Sequence, residues 1–379
     1  MKIVISLVGG QLDPNLLTPL QLEATRSVLF RTPDTNREAK NLIDALGVNG
    51  ISASVQETPA FDFAQTREDI RKKVETLRDE HQGSEIWINY TGGTKIMSLA
   101  AFEVARELDL RTAYLEPRSS SLLTTLGTLP QPSIPISVKF TIEAFFALKG
   151  FSVQRNKSLE TNAQTRKAFT EFVYENIRNS AIFHNKLFSK VFQFRIKNST
   201  ANNYEKLIGT FITENFWNSM VSKNMSGFQV KLNSQSANFN TGAQLIEYFS
   251  GGWLEEYVFN KFYDSRCADD VTIGLRFLSS ENDVMNECDV VAINKGQSTF
   301  VECKSGNFNS TDIDKFHSVA KMYGGDYAKG VWLSYYPIPI SGKSSKMRKF
   351  SMNKINLIEG MKQIKNSLNN PCQLGDIQR

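Results

Sequence analysis

The sequence predicts an α/β protein of two domains, a doubly wound parallel sheet followed by a second α/β domain built around a charged hairpin. Three observations carry that expectation. At 379 residues the chain is longer than one ordinary core requires. Strand-like and helix-like runs alternate through the first 130 residues. Residues 286–306, NECDVVAINKGQSTFVECKSG, read as two buried strands joined by a tight turn, yet they carry Asp289, Glu302 and Lys304. A content of 41% apolar and 22% charged residues is that of a globular chain.

The elements follow in order. KIVISLV (2–8) and SVLFRT (27–32) read as strands, with a helical pattern from Asn36 to Leu46 and a third strand at ISASVQE (51–57). A helix is expected to open at Thr66, where Thr-Arg-Glu-Asp supplies a capping box with Asp in place of Glu. EIWINY (85–90) precedes TGGT and a helix over 95–108; RTAYLEP (111–117) and SLLTTLG (121–127) complete the set. LPQPSIPIS (129–137) holds three prolines and is expected to interrupt both helix and strand. The predicted division is therefore a first domain over 1–130, a Pro-rich linker with a connecting helix over 131–150, and a second domain over 151–379. Within the latter, 165–178 reads as helix, and 181–262, rich in Phe and Asn, as an insertion with helical stretches. TDIDKFHSVAKMYGG after the hairpin reads as helix and GVWLSYYP as strand.

Several function classes lose support. No apolar run approaches the about 20 residues that span a bilayer, and KIVISLV is too short for a signal segment, so no membrane partner and a cytoplasmic setting are expected. Cys267, Cys288, Cys303 and Cys372 form no CxxC pair, and scattered thiols suit a reducing compartment. Three widely spaced histidines offer no His-based metal site. The net charge of +5 is concentrated in residues 340–379, which hold eight cations against two acids. That suits a polyanionic substrate as well as it suits a solvated helix face.

Along a strand side chains alternate faces, so Glu302 and Lys304 share one face while Cys303 points away. The turn NKGQ (294–297) returns Asp289 toward Glu302. Carboxylates gathered inside an apolar ribbon repel one another unless a cation lies between them, and all-oxygen ligation suits Mg²⁺ or Mn²⁺. The candidate ligands are Asp289 and Glu302. The resemblance of this pattern to the PD-(D/E)xK nucleases implies, in addition, the carbonyl of Cys303 and an acidic residue for a second metal, supplied here by a glutamate of the amphipathic run GGWLEEYVFNKF (251–262). Glu255 is preferred there to Glu256, which lies about 100° round the helix. Lys304 is the candidate to position an attacking water. Asp-x12-Glu-Cys-Lys resembles the PD-(D/E)xK nuclease signature, and a partly exposed ion pair on an edge hairpin is the structural alternative. FHNKLFSKVFQFRIKNS (183–199) interleaves aromatics with cations, which fits base stacking or, better, a helix burying its apolar face.

NYTGGTK (89–95) follows a strand and opens a helix, where free N–H groups favour an anion, but it lacks the Walker A pattern. Together with GGWLEEYV, NECDVV and FVECKSG, it makes the chain resemble, over nearly its whole length, the CARF-domain nucleases that accompany type III CRISPR systems. The resemblance implies a Rossmann-like CARF domain joined to a restriction-endonuclease-like domain. It implies a homodimer that binds a cyclic oligoadenylate, commonly the tetramer, and a nuclease switched on by that ligand. Carried over by position, the ligand loops are Gly10 and Gln11, Thr32, and Thr91, Gly92, Gly93, Thr94 and Lys95. The substrate is nucleic acid, DNA or RNA. Two alternatives stay open on sequence alone: a non-enzymatic nucleotide-sensing DNA-binding regulator, and a phosphoesterase acting on the cyclic nucleotide itself.

Overall fold

In the computed structural model the chain divides into two units, Met1–Val153 and Gln154–Arg379. The structure describes residues 1–116, 121–179, 209–214, 217–225, 227–306, 308–325, 328–335, 346–347, 349–350 and 355–374. The interleaved stretch 183–199 lies outside them.

The first unit runs β1 (Lys2–Leu7), α1 (Asp13–Gln21), β2 (Arg26–Arg31), α2 (Asn36–Val48), β3 (Ser52–Glu57), α3 (Phe63–Glu80), β4 (Glu85–Asn89), α4 (Lys95–Glu107), β5 (Arg111–Glu116), β6 (Ser121–Leu126), β7 (Leu129–Pro135) and α5 (Ile142–Leu148). Its sheet has the order β3-β2-β1-β4-β5-β6-β7. β1 to β5 pair in parallel, whereas β6 and β7 return antiparallel, so the sheet is mixed at one edge. The central strands read as continuous apolar runs because helices cover both faces; Ile3, Ile5 and Leu7 pack with Val74, Met97 and Val104.

Two expectations fail here. α3 starts at Phe63 with Asp62 as its cap, accepting from the Gln65 N–H, and Thr66 is buried inside the helix, its hydroxyl donating to the Pro59 carbonyl. The proline run does not interrupt the sheet: β7 pairs with β6 from Leu129 to Pro135. An edge strand needs N–H donors on one side only, which is where proline is tolerated. The boundary between the units therefore falls after α5, at 153/154.

The chain enters the second unit through β8 (Ser152–Gln154), followed by α6 (Lys157–Thr165) and α7 (Lys167–Asn179). Then come β9 (Gly209–Glu214), β10 (Trp217–Asn224), β11 (Gly227–Leu232) and β12 (Gln235–Phe239), an antiparallel four-stranded sheet. The helical reading of this region fails for 209–214, 217–224 and 227–239. Period-two burial along Phe228, Val230 and Leu232 carries the strand signal, and Asn233 at φ 50° closes the turn. α8 (Gly242–Glu247) and a π-turn (Tyr248–Gly252) lead into α9 (Trp253–Ser265). β13 (Asp270–Leu278), β14 (Val284–Asn294), β15 (Gln297–Lys304), α10 (Ser310–Gly324), β16 (Lys329–Ser334), β17 (Ile355–Glu359) and α11 (Met361–Ser367) complete the unit. Its sheet order is β17-β16-β15-β14-β13-β8. Val290, Val301, Cys303 and Leu333 face the core beneath α9, against Trp253, Leu254 and Val258.

Two of the four cysteines are paired: Cys267, just past the end of α9, forms a disulfide with Cys372. This corrects the expectation of four scattered thiols; partners 105 residues apart leave no local sequence pattern. Cys288 and Cys303 are free and buried, as small apolar groups are. In the chain-entropy account a loop of that length is worth about 5 kcal/mol. Reductant or Cys267→Ser is therefore expected to lower the Tm of the protein, and calorimetry with and without reductant checks it; an unchanged Tm in both would show that the link carries no stability.

Candidate active site and ligand loops

The hairpin β14–β15 is set by a two-residue turn, Lys295-Gly296, with φ of 49° and 76°. Both positive values define the reversal whose twist matches that of its strands. The register runs from Asn294↔Gln297 to Val290↔Val301, where the ladder ends. One step further the side chain replaces the main chain as acceptor: Asp289 Oδ2 takes the Cys303 N–H at 2.7 Å. Asp289 is thereby held near enough to Glu302 and Lys304 for both charges to act on its carboxyl. Glu302 and Lys304 form an ion pair with side chains 19% and 32% exposed. The ammonium also lies 5.7 Å over the ring of Trp332, which is fully buried on β16.

α9 brings the helical glutamate. Glu256 is 2% exposed and turned away, pairing with Arg166 and accepting from the Thr170 hydroxyl at 3.3 Å. Burial raises its pKa, and Arg166 offsets part of that rise. Arg166 is itself stacked over Phe239 and Tyr248. This buried pair sets the rotation of α9, and one residue earlier on the helix Glu255 is left toward Asp289. Burial pushes the Glu255 carboxyl well above the usual range, with repulsion from Asp289, Glu247 and Glu302 adding to it and Lys304 opposing. Asp289 is raised to about 7, first by burial and then by Glu302, against the pull of Lys304 and the Cys303 N–H. For Lys304, burial works against the charge, but Glu302 and Asp289 outweigh it and the ammonium is held more firmly.

The structure thus brings Glu255, Asp289, Glu302 and Lys304 into one electrostatic neighbourhood, with the main chain of Cys303 beside Asp289. Two features had no sequence signal. Glu247, at the end of α8, adds a further negative charge near Glu255. Gly251, at φ 154°, kinks the chain before α9 and lies against Ser305, whose hydroxyl donates to the Ser250 carbonyl at 3.2 Å. That contact ties the entry to the glutamate helix to the residue after Lys304.

In the first unit, the loops after β1 and β4 press together. A Cβ on Gly92 would stand 2.2 Å from the Leu7 carbonyl oxygen, so the glycine is required by backbone contact alone. Gly93 is required as well, at φ 76°. The hydroxyls of Thr91 and Thr94 are committed: Thr91 donates to Asn89 and accepts from the Leu115 N–H, while Thr94 donates to the Ala60 carbonyl and caps α4. Thr32 is buried and spent on a capping box with Thr35. Gly10 has open space where a side chain would stand, Gln11 is partly exposed, and Lys95 is exposed at the first position of α4. There the N–H groups of Lys95 and Ile96 have no intrahelical acceptor.

Family comparison matches both units. Residues 3–143 match the Card1 CARF domain, and residues 244–369 match the Card1-like endonuclease domain. The chain joins a Card1-type CARF domain to a Card1-like endonuclease domain. Solved structures share the fold at low identity. Can2 from Sulfobacillus thermosulfidooxidans, solved in complex with cyclic tetra-adenylate, is 21% identical, with 98% of this chain and 99% of that one covered at a TM-score of 0.65. VC1899 from Vibrio cholerae is 17% identical, with 99% and 98% covered at 0.72. A type III CRISPR defence DNA nuclease activated by cyclic oligoadenylate is 15% identical, with 89% of this chain and 47% of that one covered at 0.54. No curated protein matches the chain. No helix among the described residues is long and apolar enough to cross a membrane.

For a Card1-like endonuclease domain the donor chemistry fits a divalent cation: hard oxygens, two of them on carboxyls whose charge is poorly compensated. Among the described residues no three acidic, His or Cys side chains already stand as a closed metal cage. Glu302 is bound to Lys304, whereas Asp289 gives one oxygen to the Cys303 N–H and keeps the other for a ligand.

Two outcomes follow. Gly92→Ala in the CARF domain is expected to cost about 1–3 kcal/mol by overpacking, whereas Gly10→Ala leaves the Tm unchanged; thermal melts of the two variants decide it. A raised carboxyl pKa favours the folded state at low pH and loses that contribution as pH climbs through the folded value. Metal-free protein should therefore lose stability as pH rises toward and past about 7. Asp289→Asn should flatten the slope, and Mn²⁺ should raise the Tm more at pH 8 than at pH 6.

Proposed function

We propose that this CARF nuclease is a metal-dependent endonuclease switched on by a cyclic oligoadenylate, and that it acts as a homodimer. The observation that carries the reading is the gathering of Asp289 and Glu302 of the hairpin and Glu255 of α9 around Lys304, within the matched endonuclease domain. Mg²⁺ or Mn²⁺ held by Asp289, Glu302, the Cys303 carbonyl and Glu255 would polarise the scissile phosphate and acidify a bound water. The rest falls to the protein's own groups. Asp289, anchored by the Cys303 N–H, presents its free oxygen to the site. Lys304, which pairs with Glu302 in this structure, would orient the attacking water with its Nζ and offset the charge that grows on the phosphate. Trp332 beneath the ammonium limits the arc through which it turns.

For the activator, Can2 solved with cyclic tetra-adenylate supports a cyclic tetranucleotide as the ligand class. Lys95 and the free N–H groups at the head of α4 are suited to its phosphates, with Gly10 and Gln11 leaving room for the ring. A ring with two-fold symmetry fits identical loops from two copies of the chain. It activates by binding the competent arrangement more tightly than the resting one.

The test is cleavage of DNA and RNA, each single- and double-stranded, in Mn²⁺ with and without cyclic tetra-adenylate. Ligand-dependent cutting is expected, with Glu302→Ala and Lys304→Ala reducing kcat by about a hundredfold or more. Equal activity without the ligand would remove the gating, and cutting that survives Lys304→Ala would remove the site. Loss of the cyclic nucleotide itself, with both polymers intact, would indicate a phosphoesterase.

A further inference from the structure

We propose that Lys315 of α10 grips a backbone phosphate of the substrate strand beside the scissile position. The assignment rests on the nuclease reading and adds a binding residue outside the Asp-x12-Glu-Cys-Lys motif. A single pocket of about 160 Å³ is lined by Glu302 and Lys304 of β15, by Glu287 of β14, and by Asp312, Lys315 and Phe316 of α10. Its charges divide unequally. Glu302 is bound to Lys304, Glu287 pairs with Arg276 at 2.9 Å, and Asp312 accepts the Asn309 N–H at 2.8 Å to close the capping box of its own helix. Lys315 is exposed and makes no ion pair among the described residues. It is the uncommitted cation in a wall whose other charges are engaged.

The wall is also held rigidly. Phe316, the residue after Lys315, is buried and packs edge-on against Trp332 with ring centroids 5.7 Å apart. Trp332 is the ring over which Lys304 lies. One aromatic contact therefore spaces the helix of Lys315 from the strand of Lys304. A pocket of this size holds a phosphate with part of its sugar. A lysine, a mobile point charge, suits a phosphate rather than a base edge. Lys315 would thus add affinity without sequence preference.

Lys321 is the matched control, an exposed lysine on the same helix that does not line the pocket. With cyclic tetra-adenylate and Mn²⁺ present, Lys315→Gln is expected to raise KM about fivefold near 0.1 M salt, with kcat within twofold. The slope of log KM against log salt should shrink by about 0.7–0.9, the signature of one lost phosphate contact. Lys315→Arg should restore both, and Lys321→Gln should change neither. The inference is overturned if Lys315→Gln keeps the wild-type salt slope, or if Lys321→Gln shifts it equally. The slope is also read from equilibrium binding of a fluorescent oligonucleotide in EDTA. A wild type that binds but never cuts sinks the nuclease reading alone, leaving Lys315 to be judged by its own binding slope. A wild type that binds nothing sinks both.

Discussion

Asp289 and Glu255 sit close together, largely out of water, with one ammonium to balance them. Two ionised carboxyls in that position are costly, and the protein meets the cost by raising both pKa values instead of supplying a second cation. The surrounding structure keeps this arrangement from relaxing. The Val290–Val301 end of the ladder hands the Cys303 N–H to Asp289, and the I′-type turn fixes the register that makes the handover possible. A shift of one residue would send Glu302 and Lys304 to the core face.

The same region shows how a buried pair serves a neighbour. Arg166 and Glu256 are held between α7 and α9, with Thr170 and two aromatic rings around them. Such a pair adds little net stability once its desolvation is counted. Its consequence is geometric: with Glu256 committed, adjacent Glu255 has one direction left. The kink at Gly251 and its contact with Ser305 fix the same helix from the other end.

In the CARF unit the glycines and threonines of TGGTK do two jobs. Gly92 lets two loops touch, and the Thr91 and Thr94 hydroxyls stitch those loops to β5 and to the segment before α3. What remains outward is a short set: Gly10, Gln11, Lys95 and the bare N–H groups at the head of α4. A lysine at the positive end of a helix is poorly placed for the helix alone, which is why an anion at that point makes chemical sense.

Much of the fold and half of the site were legible in the amino-acid order. Period-two and period-3.6 patterns marked β1 to β6, α2, α4, α9 and the hairpin, because burial on one side writes itself into spacing. The candidacy of Asp289, Glu302 and Lys304 was legible for the same reason: charges in an apolar strand stand out. Other features had no local trace. The Pro-rich run joined a sheet because it lies at an edge, 209–214, 217–224 and 227–232 folded as strands where helical stretches were expected, and Cys267 found Cys372 across 105 residues. The choice between Glu255 and Glu256 depended on an arginine ninety residues away in sequence. Spacing along a chain records which face is buried; which distant group waits on the other side is decided only when the elements pack.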